Sequence, residues 1–217
     1  MSTSQHNILV IKLGALGDFI QALGPMRAIR NKHSQAEITL LTTPPFEALG
    51  RDCGYFDAVL TDHRPKWYQP AQWLTLRRQL NAGRFDRVYD LQNNDRSCLY
   101  FRLFSPTPEW VGIARGASHR NTSPERSAGK AFDGHVQTLA LADINDIQID
   151  PLAWMKTDIT RFSLPERYVL FVPGSSPGHP EKRWPPEHYA NLGRKLTHKG
   201  LPVVLIGTDN DADVTSY

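Results

Sequence analysis

Three groups of residues have types and spacing suited to chemistry. The first is Gly14-x-x-Gly17-Asp18, placed where an apolar run gives way to helical periodicity. Glycines there allow a ligand to approach the backbone, and a helix N-terminus favours negative charge. On spacing alone Asp18 reads as a helix-capping carboxylate. The second group is Pro173 to Pro186, which carries Ser175, Ser176, Gly174, Gly178, Lys182 and Trp184. Hydroxyls, glycine amides and a lysine after a strand suit a diphosphate. A solvated surface loop pinned by Trp184 is the plainer alternative. The third is the stretch 115–130, with Arg115, His119, Arg120, Arg126 and Lys130 against the single acid Glu125. It suits an anionic partner, or equally a solvated mobile loop.

The elements that must position these groups follow from periodicity. Residues 8–11 form a β-branched run, and Phe19, Ile20, Leu23, Met26 and Ile29 then recur at helical spacing. The alternation continues with strands expected at 37–42, 56–60, 85–91 and 110–114. Helices are expected between them at 46–51, 70–81 and 97–104, and another at 135–142. Strands alternating with helices specify crossover units, hence an α/β, doubly wound parallel sheet. A second α/β unit is expected from strands at 168–172 and 203–206 around a helix at 187–198, with Asp209, Asp211 and Asp213 opening one more helix. Two strands and one helix cannot cover both faces of a parallel sheet, so this second domain reads as incomplete. The resulting division is 1–150, a linker at 151–165, and 166–217.

Bulk properties exclude several classes. A net charge of +3 does not mark a nucleic-acid binder. Cys53 and Cys98 lack ligand or disulfide spacing, which fits a reducing compartment. The polar start is not that of a signal peptide, and no stretch reads as a membrane span, so a cytoplasmic location is expected. Trp73, Leu76 and Leu80, with Arg77 and Arg78 beside them and Arg64 and Lys66 upstream, read as an ordinary surface helix, a membrane-facing role being the lesser reading. A dinucleotide fingerprint needs G-x-G-x-x-G and an acid ending the second strand. The second strand instead ends in Thr42-Thr43-Pro44, so a nicotinamide enzyme such as an epimerase is disfavoured.

Taken together, Ile8-Leu9-Val10-Ile11-Lys12-Leu13-Gly14-Ala15-Leu16-Gly17-Asp18, Phe85-Asp86-Arg87-Val88-Tyr89-Asp90-Leu91-Gln92, Pro173-Gly174-Ser175-Ser176 and Lys182-Arg183-Trp184-Pro185 resemble glycosyltransferase family 9, the ADP-heptose:lipopolysaccharide heptosyltransferases and their relatives. The resemblance implies a GT-B fold: a Rossmann-like first domain for the acceptor glycan and the start of a second for the nucleotide sugar. It implies inverting transfer of a heptose-type sugar onto a lipopolysaccharide core or related lipid-linked glycan, without metal or cofactor. Asp18 would be the general base, and Ser175, Ser176 and Lys182 would hold the donor phosphates. Gly17, Gln92, Arg115, His119 and Arg120 are expected on the acceptor side. Peripheral contact with the cytoplasmic face of the inner membrane is compatible with such an acceptor. The family's later D-x-T-G-P-x-H-type segment lies beyond the last residue. A non-catalytic glycan- or phosphate-binding fragment is therefore the competing reading.

Overall fold

A computed structural model describes residues 6–175, 180–208 and 211. They fall into two compact units, 1–156 and 157–217. The first is built on β1 (Asn7–Ile11), β2 (Glu37–Thr42), β3 (Ala58–Thr61), β4 (Arg87–Asp90), β5 (Glu109–Gly112) and β6 (His119–Arg120). Their order is β3-β2-β1-β4-β5-β6 and every pairing is parallel. The crossovers run through α1 (Leu16–Lys32), α2 (Glu47–Asp52), α3 (Pro70–Ala82) and α4 (Asp95–Phe101), and α5 (Ala131–Ala140) follows β6.

The central strand shows why its sequence is apolar at every position. Successive side chains of a strand point to opposite faces. Ile8 and Val10 pack with Phe19, Leu23 and Met26 of α1 on one face. Leu9 and Ile11 pack with Leu76 and Leu80 of α3, and with Tyr100 and Trp110, on the other. Both faces are covered, so neither parity tolerates a polar residue.

Three local features depart from the expectations. The stretch 115–130 is not all loop: residues 119–120 pair with β5 and add an edge strand, and a 3-10 turn spans Pro124–Ser127. A two-residue strand is too short to leave a periodic trace. The fourth helix starts at Asp95 because the Asn94 side chain accepts from the Ser97 amide and the Ser97 hydroxyl answers the Asn94 amide. The first unit also extends past residue 150. Ile147, Leu152 and Trp154 pack on the core, and the buried Asp150 accepts from the Tyr55 hydroxyl and the Leu152 amide. Gly24 makes this passage feasible, since a Cβ there would lie 2.1 Å from the Gln148 carbonyl oxygen.

The second unit pairs β7 (Val169–Phe171) with β8 (Val203–Leu205) in parallel and carries α6 (Pro186–Thr197). Phe171 meets the Tyr189 ring at 5.5 Å, and Trp184 lies edge-on to the same ring at 5.0 Å. Leu170, Val172, Leu205 and Ile206 are exposed. The helix expected from Asp209 onward falls outside the described residues except at Asp211. Among the described residues no helix is long and apolar enough to cross a membrane.

Candidate active site

In a parallel sheet the ligand crevice opens at the carboxyl ends of the strands, where the strand order reverses. Here that point lies between β1 and β4, the first of which pairs on its other side with β2. The turn leaving β1 is braced from three directions. The Leu13 amide donates to Gln92 Oε1 at 2.8 Å, and the Leu13 carbonyl accepts from Thr43 Oγ1 at 2.9 Å and Arg64 Nη2 at 3.0 Å. Gly14 sits at φ +121, and a Cβ on it would lie 2.4 Å from the Phe46 ring. Gly17 is different. It is exposed, and a Cβ there would meet nothing within 4 Å, so the protein's own packing does not demand a glycine.

Asp18 occupies the third position of α1, while Ala15 holds the N-cap without a side-chain hydrogen bond. The carboxylate is exposed and makes no hydrogen bond or ion pair among the described residues. It therefore gains from the helix dipole without capping. It lines a cleft of about 280 Å³ with Lys12, Gln92, Asn93, Arg126 and His135.

The floor of this cleft is electrostatically unusual. Lys12 is only 3% exposed and donates from Nζ to the Leu91 carbonyl at 3.2 Å. Burial lowers its pKa, and the charges of Asp18 and Asp90 oppose that shift. Asp90 is fully buried and is pushed up to about 6 by burial, against the Asn93 and Gln92 amides that donate to its Oδ1. Among the described residues its Oδ2 has no hydrogen-bond partner, and neither has His135 Nε2. Burial, with Lys12 nearby, lowers His135 to about 3, so its imidazole is neutral at physiological pH.

These shifts carry a pH signature. The His135 pKa falls from 6.5 in the unfolded chain to about 3 in the fold, so its contribution to stability is present above about 6.5 and is lost as pH falls toward 3. His33, lowered to about 4 mainly by burial, acts in the same sense. The raised pKa of Asp90 acts oppositely, its contribution being lost as pH rises through about 6. Substituting His135→Gln is expected to flatten the fall of Tm between pH 6.5 and 4. An unchanged profile would assign that acid sensitivity to other groups.

The basic stretch builds a second recess. Arg102, Arg115, Arg120 and Arg126 line a pocket of about 440 Å³, and Asp95 is the acid among its lining residues. Arg126 lines this pocket and the Asp18 cleft alike, which makes the two neighbours. His119 is not in it. Neighbouring residues of a strand face opposite ways, and His119 Nε2 pairs with Glu109 Oε1 at 2.5 Å, beside the Arg87–Glu109 bridge at 2.6 Å. Arg115 and Arg120 are thus brought together and His119 is separated from them.

In the second unit Ser175 is held by Arg183, whose Nε lies 3.3 Å from the hydroxyl and whose Nη2 donates to the Ser175 carbonyl at 3.1 Å. The same Nη2 reaches Asp211 Oδ1 at 3.0 Å, and Asp211 Oδ2 accepts from the Thr208 amide and hydroxyl. Lys182 is exposed at the end of a 3-10 turn (Pro180–Lys182) ahead of α6. Ser176 lies outside the described residues. Arg126 belongs to the basic stretch and Arg183 to the Lys182-Arg183-Trp184-Pro185 motif, but the sequence gives neither a role of its own, and it gives none to Lys12 or His135. Lys12 carried a signal, a lysine closing an apolar strand before a glycine turn, whereas His135 looked like any polar residue in a helix.

The sequence profile described as glycosyltransferase family 9 (heptosyltransferase) matches residues 73–216, which is more than half of the chain. The chain belongs to glycosyltransferase family 9. The family match includes Gln92, the arginine pocket and the 173–186 loop, and begins after Asp18. Lipopolysaccharide heptosyltransferase 2 of Salmonella typhimurium is 27% identical over 238 aligned residues, covering 94% of this chain. The chain spans 64% of the length of that curated relative. The family 9 glycosyl transferase of Veillonella parvula superposes with a TM-score of 0.80 at 21% identity, covering 100% of this chain and 66% of the other. Heptosyltransferase WaaC of E. coli, solved with ADP-2-deoxy-2-fluoro heptose, superposes at 0.68 with 17% identity, covering 96% and 71%. These family 9 likenesses support the fold class expected from the sequence, an α/β protein of GT-B type with a Rossmann-like parallel sheet.

Proposed function

We propose that this chain contributes the acceptor side, and part of the donor side, of an inverting, metal-independent heptosyltransferase. Its donor is an ADP-heptose-like nucleotide sugar and its acceptor a lipopolysaccharide core or related lipid-linked glycan. The reading rests on one observation above the others: an exposed carboxylate, Asp18, unpartnered among the described residues, over a cleft with the buried Lys12 beneath it, at the strand-order reversal of a family 9 chain. The ADP-sugar analogue bound by the E. coli relative supports the choice of donor.

The chemistry follows from the residue types. A sugar hydroxyl is a poor nucleophile, and Asp18 takes its proton as the oxygen attacks the anomeric carbon from the face opposite the leaving group. The bond from that carbon to the phosphate oxygen breaks, and its electron pair leaves with the nucleoside diphosphate. Lys182, Ser175 and Ser176 stabilise that charge. Arg115, Arg120 and Arg126 hold acidic groups of the acceptor, and Gly17 leaves room for its backbone approach. Gln92 braces the turn and lines the cleft. Action in the cytoplasm, at the inner membrane face, fits such an acceptor.

The test is heptose transfer by the natural protein, read as ADP release together with acceptor mass. Transfer in the presence of EDTA, with the anomeric configuration inverted, is expected. Retention of configuration, or loss of activity on chelation, would overturn the corresponding part of the reading. Substituting Lys182→Ala is expected to weaken donor affinity by about ten- to a hundredfold, the scale of one charge-assisted contact. Replacing Arg115 and Arg120 together should raise KM for a phosphorylated acceptor and spare the donor. An effect on the donor alone would reverse that assignment.

A further inference from the structure

The stretch 63–85 contains no Asp or Glu, yet carries Arg64, Lys66, Arg77, Arg78 and Arg84. It comprises the loop after β3 and all of α3. Leu76 and Leu80 are buried in the core, as expected of an ordinary surface helix, and Trp73 is half-buried against Tyr100. The outward aromatic is another residue. Trp67 is 88% exposed, and its ring meets the exposed Tyr68 edge-on at 5.6 Å. Leu74, Arg77 and Arg78 are exposed on the helix that follows.

A loop so exposed is nevertheless firmly held. The Lys66 carbonyl accepts from Trp73 Nε1 at 3.0 Å and from the Gln69 amide at 2.9 Å, and the Lys66 amide donates to Gln69 Oε1 at 2.8 Å. Asp62 beneath it is buried, accepting from the Arg64 amide at 2.7 Å and from the Tyr100 hydroxyl. Leaving a large indole in water at the tip of a fixed loop gains nothing for folding. An indole beside cations, with the Asp62 carboxylate beneath its loop buried, matches the boundary of an anionic bilayer, where Trp and Tyr rings settle at headgroup level and basic side chains meet lipid phosphates. A preformed loop also avoids most of the ordering cost of docking.

We propose that Trp67 and Tyr68, flanked by Lys66, Arg77 and Arg78, form a docking surface for an anionic phospholipid bilayer. The same loop braces the glycine turn through Arg64, so a membrane held there lies on the side of the molecule that carries the Asp18 turn. The docking claim does not depend on the transferase reading.

Co-sedimentation of the natural protein with vesicles free of any glycolipid tests it. Binding to phosphatidylethanolamine–phosphatidylglycerol vesicles, weakening as salt is raised, is expected, with little binding to phosphatidylcholine. Tryptophan emission should shift to the blue on binding, and Trp67→Phe should abolish the shift. Substituting Arg77→Gln and Arg78→Gln together should weaken binding about 25-fold, at about fivefold per cation. Trp67→Ala should weaken it by about tenfold or more, through lost apolar burial. These side chains are exposed, so unchanged circular dichroism should accompany each loss. Equal binding to phosphatidylcholine, unaffected variants, binding only when glycolipid is present, or a homodimer that Trp67→Ala dissociates would each overturn the proposal. Transfer to a lipid-free acceptor, measured alongside, separates failure of docking from failure of the transferase reading.

Discussion

Replacing Asp18 by Asn is expected to lower heptosyl transfer by about 10²–10⁴-fold, the range for losing one positioned general base. Folding should be almost untouched. The side chain is exposed, caps nothing, and makes no hydrogen bond among the described residues. Its structural contribution is its charge near the helix N-terminus, worth about 0.3–1 kcal/mol. Asn retains the size and polarity of the group and cannot accept the proton. Donor binding should persist, because the donor-loop candidates Ser175 and Lys182 belong to the other unit. Turnover comparable to the parent protein would reduce Asp18 to a helix-dipole residue and remove the main support of the proposed mechanism.

Truncating Trp110 to Ala should cost about 3–5 kcal/mol, enough to unfold much of a domain of ordinary stability. Trp110 is the largest of the fully buried side chains, and it lies edge-on to Phe101 at 5.2 Å and Phe104 at 5.8 Å. Its removal leaves a void between β5 and α4 that two fixed aromatic rings cannot collapse to fill. Trp110→Phe should be far milder, because the indole Nε1 is buried without a hydrogen-bond partner among the described residues and its loss offsets part of the missing volume. Denaturant titration of both variants checks the order. Equal destabilisation would show that the indole nitrogen, not the packed volume, matters at this position.

The parts of this molecule legible in its sequence are those fixed over short range. An unbroken apolar run, a glycine turn and a helical repeat identified β1 and α1, and the absence of alternation in the run already implied a sheet covered on both faces. Asp18 was legible as a residue at a helix start, but not as uncapped, since that depends on Ala15 taking the N-cap. What was not legible depends on register between distant strands. Leu13 meets Gln92 across 79 residues only because Ile11 aligns with Asp90. The inward placement of His135, and the sharing of Arg126 by two pockets, come from α5 returning over α1. His119 and Arg120 are neighbours in sequence and were read as one basic group. A strand of two residues sends them to opposite faces, and Glu109 claims the histidine. Apolar residues at 147, 152 and 154 lacked a period because they belong to an irregular segment lying on the core.

The position of β1 has a consequence for how the chain is made. It precedes the other strands of its sheet in the chain, and it lies in the interior of that sheet, with one neighbour aligned from Glu37 onward and the other from Arg87 onward. At roughly 5–20 residues per second, a ribosome needs about 4–16 s after releasing Ile8 before β4 emerges to cover its open side. During that interval the uncharged segment Ile8-Leu9-Val10-Ile11 has an unsatisfied edge and no assembled core on either face. Such a segment is a natural client for chaperones that hold nascent chains. Its residence time on them should lengthen when translation of residues 40–90 is slowed.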